Sequence, residues 1–199
     1  MKARVDGSGK IITGDGKISV TGNHIEWTCK DEMPSCSWEQ QLDRTERNFN
    51  RAKQVCAGSV KSNGIGSIPD PDECLDQIFN FYLNCYHLKD WLINDKNFPA
   101  DKKQVEKYIN QNWELKLCAD LCNGQKHFVL KRPRSGDEPK VAERKLRSRL
   151  ETSPTCSISQ HIGYTINTKF GSMDALDLAA KCLNLWKTFV NNKKSSPNE

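Results

Sequence analysis

The chain has 199 residues, a formal net charge of +5 and a hydrophobic share of 36%, enough for one domain with a core and a small appendage. Its mean hydropathy is −0.72, and no apolar run approaches the roughly 18 residues that a membrane helix needs. The opening MKARVDGSGK lacks the apolar stretch of a secretory signal, so the expectation is a soluble, cytoplasmic protein with no membrane partner.

The charge is concentrated. Between Lys131 and Arg149 stand Lys131, Arg132, Arg134, Lys140, Arg144, Lys145, Arg147 and Arg149 against Asp137, Glu138 and Glu143, which accounts for the whole net excess. The nine cysteines are odd in number and include no C-x-x-C pair. They read as reduced, buried thiols that behave as small hydrophobes, not as a disulfide framework.

Residues 1 to 37 are glycine-rich and β-like, with a hairpin expected around GDGK within IITGDGKISV and a further short strand in HIEWTC. GSGK at 7–10 lacks the hydroxyl residue and glycine spacing of a phosphate loop and reads as a turn. A first helix is expected over 37–59, opened by the capping pattern Ser37 to Gln40. KSNGIGSIPDPDE interrupts the chain, and Asp70-Pro71 supplies an N-cap with proline in the first helical position. In the following segment Leu75, Ile78, Phe79, Tyr82, Cys85, Tyr86, Trp91 and Leu92 repeat at three and four, and Phe81, Leu83 and Leu88 widen the arc to most of a helix circumference, which marks the centre of a bundle.

After the turn NFPADKK, a third helix begins at Val105. It continues with a bend near Asn112 and stops at Asn123-Gly124, where glycine suits a left-handed C-terminal position. HFVLKRP is expected as a short strand and CSISQHIGYTINT as a second, with PKVAERKLRSRLE between them as an exposed helix. SMDALDLAAKCLNLWKTFVNN closes the fold as an amphipathic helix. The fold class expected is therefore mostly α: a bundle of four main helices with a β-hairpin inserted before the last helix and a short β-like N-terminal arm. The domain reading is an arm over 1–37, the bundle over 38–192 with a hairpin insertion at about 127–168, and a disordered tail over 193–199.

Two sets of residues carry candidate chemistry. His87 and Asp90 stand one turn apart on the central helix, and Asp120 and Asn123 one turn apart on the next, with Lys126 and His127 just beyond. If the helices run antiparallel these six converge, either as a general acid–base site or as a network that locks the fold. A metal reading would use His87, Asp90, Asp120 and His127, but neither a metal nor a cofactor is part of the expectation. The second set is the basic run: Arg132, Arg134, Lys140, Arg144, Lys145, Arg147 and Arg149 would neutralise phosphates, without an aromatic residue to stack on bases.

YLNCYHLKDWL, LKLCADLCNGQKHFVL and DALDLAAKCLNLWKTFV, covering about 71–131 and 171–190, resemble a group of uncharacterised bacterial helical proteins that carry HLKDW and NGxKH motifs. More remotely the chain is similar to HEPN domains. That likeness implies a helical fold that binds RNA or a protein partner in bacterial stress or defence. The nuclease members carry an arginine separated from a histidine by four to six intervening residues, and none of His24, His87, His127 or His161 is preceded by one at that spacing. The functional expectation is a binding domain, not an enzyme. The alternatives are an RNase or metal-assisted hydrolase centred on His87, Asp90 and His127, and a non-catalytic homodimeric scaffold.

Overall fold

The computed structural model describes residues 4–5, 11–13, 16–21, 24–29, 37–61, 63–126, 130–152 and 156–195. The chain divides into two compact units, Met1–Cys36 and Ser37–Glu199. The first unit is an antiparallel meander of β1 (Arg4–Val5), β2 (Ile11–Thr13), β3 (Gly16–Thr21) and β4 (His24–Cys29), paired in chain order. The β3–β4 ladder runs from Gly16 opposite Cys29 to Thr21 opposite His24.

The second unit begins with α1 (Trp38–Val55), whose N-cap Ser37 accepts the Gln40 amide. Its buried face is Trp38, Gln41, Thr45 and Ala52. The chain then forms β5 (Ala57–Lys61) and β6 (Gly66–Ser67) around a turn at Gly64, where φ is +77°. A side chain on Gly66 would begin 1.9 Å from the Ser59 carbonyl oxygen, so the strand pair requires a glycine there.

α2 (Pro71–Asn94) is the central element. Asp70 caps it by accepting the amides of Asp72 and Glu73. Cys74, Ile78, Phe81, Tyr82, Cys85, Leu88 and Leu92 are buried along it, because the helix packs against α1, α4, α5, α3 and β8. α3 (Lys102–Gln111) opens with a capping box between Asp101 and Gln104. It ends at Asn112, whose side-chain amide donates to the Tyr108 carbonyl at 2.7 Å and whose backbone turns extended. α4 (Trp113–Lys126) and α5 (Ala175–Ser195) complete the helical layer. Tyr82 ties the layer together by donating its hydroxyl to the Ala175 carbonyl at 2.6 Å. Burial of Phe81, Tyr82, Leu178 and Trp186 in one shared core supplies about 1.5–3 kcal/mol for each large apolar side chain.

β7 (Lys140–Glu151), β8 (Ser157–Thr168) and β9 (Gly171–Asp174) join β5 and β6 in one antiparallel sheet. Its order is β6-β5-β8-β7, and β9 also pairs with β8. Ile162, Tyr164 and Ile166 of β8 are buried against the helices, and the Tyr164 hydroxyl donates to the Pro71 carbonyl. A bulge between Val141 and Glu143 shifts the β7–β8 register by one residue.

This corrects the expected fold class. The second unit is a mixed α/β body of five helices and a five-stranded sheet among the described residues, not a four-helix bundle carrying one hairpin. PKVAERKLRSRLE is strand for most of its length, not an exposed helix. Ala142, Leu146 and Leu150 recur every four residues, and an interval of four satisfies both a helix face and a strand face. The long β8 ladder decides between them by pairing with the whole of β7. Ala57, Gly58 and Ser59, expected as the end of the first helix, belong to β5. Lys131–Pro133 are irregular, and His127–Val129 of the expected strand lie outside the described residues. The third helix is two helices broken at Asn112, and Gly124 lies inside α4 instead of ending it. No helix among the described residues is long and apolar enough to cross a membrane.

Candidate functional site

The polar seam expected between the second and third helices resolves into separate contacts. Lys126 Nζ, in the last turn of α4, lies 3.4 Å from His87 Nε2 on α2. Burial, followed by the Lys126 charge, holds the His87 pKa below its ordinary value. The neutral ring then accepts the lysine's proton donor and ties α4's end to α2. Asp90 is more than half exposed and faces Lys89 at 3.6 Å. Lys89 also reaches Glu106 on α3 at 3.7 Å and lies 4.8 Å from the centre of the Tyr86 ring. Asn123 is half-buried on α4, and His127 lies outside the described residues.

Asp120 turns away from this seam. It is 1% exposed, and its carboxylate accepts the Arg134 amide at 2.6 Å, the Ser135 amide at 2.7 Å and the Ser135 hydroxyl at 2.6 Å. Three donors compensate a buried carboxylate, so the loop after α4 is pinned to that helix. Arg134 reinforces the pin, with its guanidinium donating to Asn110 and forming an ion pair with Glu106. A cleft of about 500 Å³ opens beside Asp120, lined by Phe79, Leu121, Gly124, Glu138, Pro139 and Lys140 among others.

The basic run is sorted by the strand. Arg134 is engaged as above, and Arg132 is exposed in the preceding loop. Directly opposed residues in an antiparallel ladder share a face. Arg144 lies opposite Tyr164, Leu146 opposite Ile162 and Leu150 opposite Ile158, on the face that meets the helices. Lys140, Lys145, Arg147 and Arg149 lie opposite Asn167, Gly163, His161 and Ser159, on the other face. Lys140 pairs with Glu138 at 3.8 Å and Lys145 with Glu143 at 3.3 Å, all at exposed positions. Successive residues on one face are about 6.8 Å apart, so Lys145, Arg147 and Arg149 form a regular row.

At the far end of the hairpin the helix-side face is uncovered: Leu146 and Leu150 are each 60% exposed and Ile158 is 42% exposed. Among the described residues no strand pairs with the outer edge of β7. These leucines are not among the candidates that the sequence offers, because the basic residues on either side of them dominate the segment. A second omission was legible: Arg44, Arg47 and Arg51 recur at three and four residues along α1.

The cysteines of the second unit are mostly interior. Burial, with Cys74 next to it, pushes Cys56 up to about 12, and burial holds Cys118 and Cys182 well above the ordinary thiol range. Among the described residues no group of three or more His, Cys, Asp or Glu side chains is arranged to hold a metal ion.

No family model matches the chain, and neither does any curated protein or solved structure.

Proposed function

We propose that the second unit is a binding module that captures an extended segment of a protein partner by strand addition along β7. The observation that carries this reading is the coincidence of three features on one element. β7 is a twelve-residue edge strand, it carries a row of cations on one face, and it exposes two leucines on the other. An added strand would complete the backbone hydrogen bonds of the edge. Its side chains would alternate, apolar residues lying beside Leu146 and Leu150 and acidic residues beside Lys145, Arg147 and Arg149. The cations also hinder β7 from pairing with a second copy of itself, since like charges would then be brought together. An RNA strand laid along the cation row would leave the leucines uncovered, which favours the protein partner.

A labelled peptide of alternating glutamate and valine tests the reading by fluorescence anisotropy. The expected result is binding that weakens with salt, is lost when alternate peptide nitrogens on the pairing edge are methylated, and protects β7 amides from hydrogen exchange. Arg147→Glu with Arg149→Glu should abolish binding, and a lysine–valine peptide should restore it. Equal binding of a scrambled peptide, or displacement of the peptide by single-stranded RNA through these same arginines, would sink the proposal.

A further inference from the structure

The solvent face of α1 carries Arg44, Arg47 and Arg51, all exposed, turned away from the buried Gln41, Thr45 and Ala52. The row rises about 10 Å along the helix axis. Asn48, Asn50 and Gln54 share a shallow hollow of about 320 Å³ with the three arginines. Glu46, a carboxylate of the same helix, is taken by Lys187, whose ammonium donates to it at 2.6 Å. None of the ion pairs among the described residues includes Arg44, Arg47 or Arg51.

We propose that this row binds the phosphodiester backbone of a nucleic acid. Each guanidinium offers a planar fork of donors matched to two phosphate oxygens. Spread along a convex helix, three forks suit a run of successive phosphates better than one phosphate group, which calls for donors converging on a point. A lipid surface would need apolar side chains to enter the headgroup layer, and the residues that line the hollow with these arginines are the amides Asn48, Asn50 and Gln54. Those amides can add donors for phosphate and sugar oxygens but supply no stacking surface, so the contact is independent of sequence. The site shares no residue with β7, and the two proposals stand or fall separately.

The test uses the full chain, a labelled mixed-sequence single-stranded RNA and a salt titration starting near 50 mM. RNA should bind, and the combined Arg44→Ala, Arg47→Ala, Arg51→Ala variant should weaken it at least about tenfold. The logarithmic salt slope should also become shallower by about two, at about 0.7 per lost phosphate contact on a single strand. The three corresponding lysine substitutions should keep most of the slope, and Arg147→Glu with Arg149→Glu should leave RNA binding in place. DNA of the same sequence should bind comparably, because it presents the same backbone. The proposal is overturned by an unchanged slope in the alanine variant with its helical circular dichroism intact. Absence of RNA binding at the lowest salt, loss of binding through the β7 variant instead, or equal affinity for phosphatidylserine vesicles would each overturn it too.

Discussion

Asp120 and Ser135 are joined twice: the serine's amide and its hydroxyl both donate to the same carboxylate oxygen, at 2.7 and 2.6 Å. With the Arg134 amide on the other oxygen, this buried carboxylate fixes where the chain goes after α4. Asp120→Ala leaves two amides without their acceptor, and the expected cost is about 3 kcal/mol. In a body of this size the melting temperature should fall by roughly 6–12 °C. Ser135→Ala removes one of the three bonds and should cost about a third as much. Equal, small losses for both variants would show that the loop is held by something else.

Acid should expose the His87–Lys126 contact. Burial and the lysine's charge lower the histidine's pKa in the folded state, so below about 6.5 the unfolded chain takes up a proton that the folded one resists. Stability is unaffected above that pH and declines as the pH falls below it, until the folded pKa is reached. His87→Gln should flatten the decline seen in urea midpoints between pH 7.5 and 5. Lys126→Met should shrink it, because the ring then protonates more easily.

A second acid-sensitive contact lies at a lower pH. Asp95 accepts the amides of Asn97 at 2.9 Å and Trp38 at 3.1 Å, and these bonds lower its pKa from 3.8. Its contribution is present above 3.8 and is lost as the pH falls through the folded value. Since Trp38 opens α1, Asp95→Ala should loosen that helix's first turn at neutral pH and remove this acid-dependent step. Hydrogen exchange of the α1 amides at pH 7 and pH 3 reads both effects.

Leu146 and Ile162 face each other across the β7–β8 ladder, yet Leu146 is 60% exposed and Ile162 is 4% exposed. Ile162→Ala should cost about 2–5 kcal/mol through the cavity it leaves. Leu146→Ala should stay within about 0.5 kcal/mol. Denaturant unfolding of the two variants checks the contrast. A large loss for Leu146→Ala would mean that this leucine is already covered in solution.

Thiol reactivity separates interior from surface. Cys156 is exposed, whereas Cys56, Cys74, Cys85, Cys118, Cys122 and Cys182 are buried. Under native conditions at pH 8, peptide mapping should find Cys156 labelled first in the second unit and the other six labelled only as fast as the unit opens. Rapid labelling of Cys118 or Cys182 would contradict the packing of α2 against α4 and α5.

The helices were legible where local signals agreed. Ser37, the Asp70-Pro71 pair and the dense apolar arc of α2 all point to the same element boundaries. The alternation along Ser157–Thr168 likewise announced β8. β7 was not legible, because Leu146 and Leu150 fit either period and only the ladder partner chooses between them. The spacing on α2 and α4 pointed to a meeting of the two helices, and His87 with Lys126 is one point of contact. The destination of Asp120 was hidden, because Ser135 sits in an irregular loop whose return onto α4 leaves no periodic trace in the sequence.

The bulge between Val141 and Glu143 acts as a parity bit for the sheet's outer strand. One supernumerary residue sets whether every later side chain of β7 falls on odd or even registers. Deleting Ala142 would let Glu143 follow Val141 in a regular ladder and keep each later pairing, whereas drawing Ala142 into the ladder opposite Thr165 would swing Lys145, Arg147 and Arg149 to the helix side and Leu146 and Leu150 to the opposite side. The chemistry that this edge offers therefore depends on one residue being kept out of the ladder as much as on the identity of the five side chains that follow it.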